Sequence, residues 1–489
     1  MGKFYVTAAI PYVNAKPHIG HALEFIQTDV IARYRRLIGD DVLKLSGGDE
    51  NALKNVQAAE KAEVPIQEFV DTNTELFHEL TKKLGAEFDV WQKGSDKEHH
   101  YPSSQKLWEL CQKSGDIYEK SYKGLYCVGC ETFYPSDELN ENGECYEHPG
   151  KKLEEVEEKN YFFKLSKYQD RLIELIQSDE LEICPGNRKH EVLSFLELGL
   201  KDISISRSNA RARNWGVPVP DDPNQKIYVW FDALNIYQSG VGFGWDDDKY
   251  KKWWPADLHV VGKGIIRFHA VYWPAFLMSA GLELPKKIFV HEYFTVEGQK
   301  MSKTVGNVYD PVPLLEKMGA DPLRYYCLAK ISPFADGDFS EDKFYEAYNS
   351  DLVNGLSNLV ARVSTMAEKE SLTVENDERK LSLAIGTAIN LFQFDRALGF
   401  IWRQVKEADT LINEKEVWKQ TGEEKKKELT DLVNRLRQIG TDLQPFLPET
   451  AGKILEMFAG PEIKRGENLF NRIRRSTSEE SPMVPPSEE

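Results

Sequence analysis

The sequence predicts an α/β protein: a doubly wound parallel sheet, interrupted by a cysteine-bearing insertion and followed by an all-α bundle. Three observations carry that expectation. Short apolar runs alternate with helical apolar periods over residues 4–294, the pattern of a parallel sheet covered by helices. Residues 126–148 break the alternation with closely spaced cysteines. From about residue 340 to residue 458 only the helical period remains.

The bulk numbers exclude several classes. A chain of 489 residues is long enough for roughly two to four domains. Hydrophobic residues make up 41% and charged residues 29%, as in an ordinary soluble protein. No apolar run is long enough to span a bilayer, so no membrane partner is expected. The chain enters a strand at once, which predicts no signal peptide. Six cysteines in this length form no disulfide scaffold and point to reduced thiols in the cytoplasm. A net charge of −17 disfavours nucleic acid as a general partner. Binding rests on local basic patches, however, and Arg207, Arg211 and Arg213 form one.

In chain order, residues 4–10 read as a buried strand stopped by Pro11. After a turn with Asn14, Lys16 and Pro17, a helix starts near His18, with Ile19, Ala22, Leu23, Ile26, Val30 and Ile31 on its apolar face. His18 and His21 then sit at the positive helix end, where orphan N–H groups and two imidazoles suit a phosphate. Gly20 lets a ligand approach the backbone. A second strand over residues 41–47 ends in Gly47-Gly48-Asp49-Glu50, an acid at the carboxyl edge where open sheets bind ligands. Helical patterns run to about residue 84 and again over 103–113.

Cys127-Val-Gly-Cys130 and Cys145-Tyr-Glu-His148 form two knuckles whose three thiolates and imidazole suit one tetrahedral, structural Zn2+. Cys111, Cys184 and Cys327 read as core residues. Residues 227–233 and 257–263 read as strands, 265–280 as an aromatic-rich helix, and 288–294 as the last clear strand. A polar loop follows, with Lys300 and Lys303 between Gly298 and Gly306; its ammonium groups can stabilise charge on a leaving phosphate, and it can close over a ligand. In the helical half, Leu352, Val353, Leu356, Leu359, Val360 and Val363 form one stripe, with Asn354, Asn358 and Arg362 along its edge. The tail from Arg465 is rich in Ser, Glu and Pro, and its end reads as disordered.

His18-Ile19-Gly20-His21 together with Lys300-Met301-Ser302-Lys303-Thr304 resembles the signature pair of the class I aminoacyl-tRNA synthetases. Within that class the chain is similar to the methionyl-tRNA synthetases over residues 3–458. The likeness rests on Pro11-Tyr12-Val13-Asn14, the Gly-Asp-Glu turn, Val229-Trp230-Phe231-Asp232-Ala233, Arg267-Phe268-His269 and the run from Lys300 to Asp310. The knuckle resembles the single-zinc subgroup. An insertion over residues 115–184 is too short for the large editing domain of the isoleucine, valine and leucine enzymes.

The resemblance implies a Rossmann-like catalytic domain in two halves, 1–114 and 185–336, around the zinc insertion, then an anticodon-binding bundle over 337–464 and a tail over 465–489. It implies activation of L-methionine by ATP, with Mg2+, and transfer to tRNA(Met), initiator tRNA included, with release of AMP and pyrophosphate. Tyr12 and Asp49 would hold the methionine amino group, with Pro11 also binding methionine, and Trp230, Ala233, Leu234, Tyr237, Ile265 and His269 would line the thioether pocket. His18, Gly20, His21, Lys300, Ser302 and Lys303 would bind ATP, the two histidines and two lysines as the catalytic groups. Asn358, Arg362 and Trp418 would read the anticodon. The appended dimerisation domain of some members is missing, which implies a monomer. Three departures stand out: Asn51-Ala52 in place of His-Gly, Gly264 in place of an acid, and Thr304 in place of Ser. A longer basic stretch between Arg207 and Trp215 is expected to touch the tRNA acceptor end. Two other readings, a nucleotidyl transferase without tRNA and a non-catalytic RNA-binding relative, fit less well: the first leaves the helical half and knuckle unused, the second the intact His18, His21 and Lys303.

Overall fold

The computed structural model describes residues 2–473 except 131, 135–137, 148–149 and 302–306. It forms two compact units. Unit one holds Met1–Pro17, Asp41–Glu79 and Phe88–His291; unit two holds His18–Asp40, Leu80–Glu87 and the chain from Glu292.

Unit one is built on six parallel strands: β1 (Lys3–Ala8), β2 (Asp41–Gly48), β3 (Val90–Lys93), β4 (Glu182–Cys184), β5 (Leu258–Gly262) and β6 (Lys287–His291), in the order β3-β2-β1-β5-β6-β4. All five residues of β5 and the last six of β2 are buried, as in a sheet covered on both faces. The register sets Thr7 of β1 beside His259 of β5. Between β3 and β4 the chain leaves the sheet as an antiparallel arm. Ile117–Cys127 pairs with Glu154–Phe163 from Ile117↔Phe163 to Tyr126↔Glu154, and the cysteine knuckle sits at its far end.

One expected strand is a helix. Residues 227–233 divide between the end of a strand, Asp222–Ile227, and the helix Val229–Ser239. All eleven residues of that helix are buried, its polar ones Asp232, Asn235, Gln238 and Ser239 included; all but Asp232 lie beyond residue 233, and the short apolar run 227–233 by itself does not tell helix from strand. The expected helix over 265–280 is present, wound as a 3-10 turn (Lys263–Ile265), a π turn (Phe268–Tyr272) and an α-helix (Trp273–Ala280). Cys111 and Cys327 are buried, whereas Cys184, on the edge strand β4, is partly exposed.

In unit two the helix Ile19–Leu37 is joined to Ala320–Ala329 through a buried charge cluster. Arg324, with no exposed side-chain surface, lies 2.8 Å from Asp29 and donates to the carbonyls of Leu84, Pro445 and Phe446. The strand expected over 288–294 is not the last. Phe294–Val296 pairs with Gln299–Lys300 on one side and Gly337–Phe339 on the other, a small sheet too short to show a period in sequence. The helices Asn358–Lys369, Phe394–Glu414, Gly422–Leu443 and Pro448–Met457 follow. The apolar stripe faces inward: Leu352, Leu356, Leu359, Val360 and Val363 are buried. The tail is ordered further than its composition suggests. Phe470 N–H donates to Ser357 Oγ (3.2 Å) and Tyr348 OH to the Asn471 carbonyl (2.7 Å), because two aromatic rings, Phe470 and Tyr348, pack edge to face. Residues 474–489 lie outside the described residues.

Candidate active site

In unit one the glycine-acid turn after β2 closes on the turn after β1. Asp49 N–H donates to the Pro11 carbonyl at 2.9 Å, and Tyr12 and Asp49 form a parallel bridge. Gly47 is required there, since a Cβ would fall 1.8 Å from the Gln92 carbonyl oxygen. The next residue, Glu50, anchors the turn. Its buried carboxylate accepts from Thr74 Oγ1 and from Ser95 N and Oγ. Burial outweighs those bonds and pushes its carboxyl above the ordinary value.

An aromatic cage stands beside this turn. Trp230 meets Tyr12 edge to face at 6.1 Å and stacks on Phe268 at 3.6 Å. Tyr237 Oη lies 2.8 Å from His269 Nε2, and His269 Nδ1 lies 2.9 Å from the Ile265 carbonyl. A carbonyl only accepts, so Nδ1 carries the His269 proton and Tyr237 donates to Nε2. Burial lowers the His269 pKa to about 4, so the ring is neutral. Of the methionine-pocket residues named from the resemblance, Pro11, Tyr12, Asp49, Trp230, Tyr237, Ile265 and His269 are thus linked by contacts. Ala233 and Leu234 lie buried on the same helix as Trp230 and Tyr237.

Sequence reasoning missed what holds that helix. Asp232 Oδ1 accepts from His100 Nε2 at 2.6 Å, and its Oδ2 accepts from Asn51 Nδ2 at 2.7 Å. Asn51 also donates to the Gly94 carbonyl. The departure at residue 51 therefore supplies an amide to a buried carboxylate. The quoted Trp-Phe-Asp run was the one available signal, an acid within an otherwise apolar stretch.

At the end of the arm, Cys145 Sγ lies 3.3 Å from Cys127 Sγ and 3.7 Å from Cys130 Sγ. Sulfurs of a tetrahedral zinc site stand about 3.8 Å apart, from a Zn–S bond of about 2.3 Å. The three cysteines fit such an ion; His148 lies outside the described residues. The knuckle backbone reaches the cage: Trp230 Nε1–H donates to the Cys130 carbonyl, and Lys54 Nζ, above the Tyr12 ring, to the Gly129 carbonyl, each at 3.2 Å. The basic stretch is turned inward. Arg207 is buried among Tyr126, Phe133 and Tyr228, and Arg211 pairs with Glu154 over Tyr126. These two guanidiniums brace the arm rather than offer a tRNA surface, because desolvated arginine stacks well on aromatic faces. Arg213 alone of the three is exposed.

In unit two the H-x-G-H segment caps its own helix. His18 Nδ1 accepts from Gly20 N–H and His21 Nδ1 from His18 N–H, both at 3.1 Å. An accepting Nδ1 in a neutral imidazole places the proton on Nε2, so each ring keeps Nε2–H as a donor. The rings lie 3.8 Å apart. A Cβ at Gly20 would press within 3.0 Å of the His18 ring and 3.4 Å of Met301 Cε, which brings the lysine loop to the helix start. Ile19 N–H donates to the Tyr309 carbonyl at 3.0 Å, so both flanks of the loop reach it. Lys300 backbone lies in the small sheet; Ser302, Lys303 and Thr304 are outside the described residues.

Farther along unit two, Arg362 donates to Asp409 and Asn413, and its guanidinium lies 5.8 Å from the Trp418 ring centre. Trp418 is 45% exposed, enough of a face for a base to stack on. Asn358 is exposed at the start of the same helix as Arg362.

Comparison with known proteins places this geometry. The family model described as tRNA synthetases class I (M) matches residues 4–364. A methionine–tRNA ligase of Rhizobium meliloti is 41% identical over 94% of this chain and 93% of its own length. One of Thermotoga maritima is 40% identical over 96% of this chain and 77% of its own. The crystal structure of the Mycobacterium tuberculosis methionyl-tRNA synthetase bound by methionyl-adenylate superposes with a TM-score of 0.88 at 36% identity, covering 96% of this chain and 100% of that one.

Proposed function

The chain belongs to the methionine–tRNA ligases of class I, and from that premise we propose how its own residues carry the reaction. L-methionine and ATP give methionyl-adenylate and pyrophosphate; the methionyl group then passes to tRNA(Met), initiator tRNA included, releasing AMP. The observation that supports this most is the Tyr12–Asp49 bridge beside the Trp230–Tyr237–His269 cage. An acid for the substrate ammonium sits next to an aromatic box for a polarisable thioether. The methionine carboxylate attacks the α-phosphorus in line, with no protein nucleophile. Catalysis is then positioning and charge stabilisation. The Nε2–H groups of His18 and His21 donate to phosphate oxygens, and Lys300 and Lys303 stabilise the departing pyrophosphate. Gly20 clears the approach, and Ser302 adds a hydroxyl. Mg2+ bound with ATP would neutralise part of the triphosphate charge.

Cys127, Cys130, Cys145 and His148 would hold one structural Zn2+ that keeps the knuckle folded. Arg362, Trp418 and Asn358 read the anticodon, Trp418 by stacking. No helix among the described residues is long and apolar enough to cross a membrane, and we place the enzyme in the cytoplasm. We read it as a monomer; a dimer mass in light scattering would refute that.

The test is ATP–pyrophosphate exchange without tRNA over all twenty amino acids. Exchange with methionine alone is expected. Exchange with another amino acid would overturn the pocket assignment, and none at all would overturn the order of steps.

A further inference from the structure

The helix Val229–Ser239 of unit one has two different sides, though both are buried. At about 100° per residue, Trp230, Ala233, Leu234 and Tyr237 fall on one side and Asp232, Asn235 and Ser239 on the other. The first side lines the thioether pocket of the proposed reaction. The second is held by a neighbouring helix, His100–Lys113. His100 spans two turns of it: Nε2 lies 2.6 Å from Asp232 Oδ1 and Nδ1 lies 2.8 Å from Ser239 Oγ. Ser104 Oγ donates to the same Asp232 oxygen at 3.1 Å, and Asn235 Nδ2 donates to Ser103 Oγ at 2.9 Å.

The other oxygen of Asp232 reaches out of this helix pair. Oδ2 accepts from Asn51 Nδ2 at 2.7 Å, and the same amide donates to the Gly94 carbonyl at 2.7 Å. Gly94 N–H in turn donates to the Gly48 carbonyl at 3.0 Å. Asn51 follows Asp49 and Glu50 in the glycine-acid turn. His100, Asp232 and Asn51 are all buried. A buried carboxylate is costly unless donors surround it, and here three side chains donate. Apolar residues of similar volume often replace such a network with no loss of stability, so stability alone does not account for it.

Resting on the methionine reading of this pocket, we propose that Asp232 is a positioning residue for the substrate amino acid. Its carboxylate ties the helix that lines the thioether pocket to the turn that carries Asp49, and so fixes the two halves of the methionine site relative to each other. Asp232 touches no substrate atom. It acts through Trp230 and Tyr237 on one side and through Asn51 and Asp49 on the other. Methionine needs its ammonium and its thioether met at once, and a site loose in either half must be ordered on binding, which lowers affinity. ATP, held in the proposed reaction by His18, His21 and the lysine loop, does not draw on this link.

The test is steady-state ATP–pyrophosphate exchange with the full chain, reading KM for methionine, KM for ATP and kcat separately. Asn51→Asp is isosteric, removes the donor and sets one carboxylate against another. KM for methionine is expected to rise about ten- to a hundredfold, the worth of one hydrogen bond to a charged group, with little change in KM for ATP. Adding Asp232→Asn rebuilds the pair in reverse, the amide at position 232 donating to the carboxylate at position 51, and should recover most of the methionine KM. Asn51→Ala cuts the link without adding charge; it should raise the methionine KM about three- to tenfold and serves if Asn51→Asp does not fold. Equal rises in both KM values would overturn the proposal. So would a methionine KM that stays put in both single variants while the thermal midpoint falls, or a double variant no better than Asn51→Asp; Asp232 would then be a structural carboxylate. Absence of methionine exchange in the unsubstituted chain would instead overturn the pocket reading, so the two failures are distinguishable.

Discussion

Arg324→Met should be among the most damaging single changes in unit two. The guanidinium is fully buried; it donates to the carbonyls of Phe446 (2.7 Å), Pro445 (3.1 Å) and Leu84 (3.2 Å), and lies 2.8 Å from Asp29. Methionine fills much of the volume but supplies no donor. Three carbonyls lose a partner and the Asp29 carboxylate loses its buried counter-charge. Breaking a buried pair costs about 3–5 kcal/mol. Arg33, itself 33% exposed, still lies 2.6 Å from Asp29, so the lower part of that range applies, about 3–4 kcal/mol. At about 2–4 °C per kcal/mol for a unit of this size, the calorimetric midpoint of unit two should fall by roughly 6–16 °C. The charge left behind makes a second, sharper prediction. Adding Asp29→Asn to Arg324→Met should restore part of the loss, because a stranded amide is cheaper to bury than a stranded carboxylate. Hydrogen exchange along Ile19–Leu37 should quicken in the single variant, since Asp29 ties that helix to the cluster. A loss under about 1 kcal/mol, or a double variant less stable than Arg324→Met, would refute the reasoning.

Three further outcomes are expected. His18→Asn keeps a good helix cap but removes the Nε2 donor, so methionine-dependent exchange should drop about 100-fold or more while the thermal midpoint barely moves; a matching loss of methionine affinity would contradict a phosphate role. Burial raises the Glu50 pKa above its ordinary 4.5, so the folded chain holds that proton to higher pH than the unfolded chain, and stability falls as pH rises through the window just above that value. Glu50→Gln removes this loss: the midpoint of the variant minus that of the unsubstituted chain should climb with pH across the window and then level, and a flat or falling difference in a pH series of thermal melts would refute it. Trp230→Phe keeps a ring against Phe268 but gives up the bond to the Cys130 carbonyl, so steady-state KM for methionine should rise about three- to tenfold with a smaller change in kcat; an unchanged KM would show that the knuckle does not steady the cage.

What the sequence made legible was local. His18 and His21 at a helix start, the glycine-acid turn at Asp49 and the cysteine spacing each depend on neighbours within a few residues, and the structure has all three where spacing put them. The start of the helix Val229–Ser239 was misread because residues 227–233 show a short apolar run with one acid, and the helical spacing of Asp232, Asn235, Gln238 and Ser239 emerges only beyond it. Arg207 and Arg211 were misread because charge in a sequence suggests a wet surface, whereas three aromatic rings from distant strands and helices enclose the first and a carboxylate takes the second. Leu469 and Phe470, two apolar residues, seat the start of the tail, whereas its end, read as disordered from composition, lies outside the described residues.

Four imidazoles show where such reading stops. His18 and His21 both accept a backbone N–H at Nδ1 and keep their donors at Nε2. His269 donates from Nδ1 to a carbonyl and accepts at Nε2, the reverse. His259 Nδ1 lies 2.6 Å from the hydroxyl of Thr7, more than half the chain away in sequence and adjacent in the sheet. All are the same residue type, yet His269 holds its proton on the nitrogen opposite to the one that holds it in His18 and His21. A sequence names the titratable group, but the backbone and hydroxyl partners decide which nitrogen carries the proton.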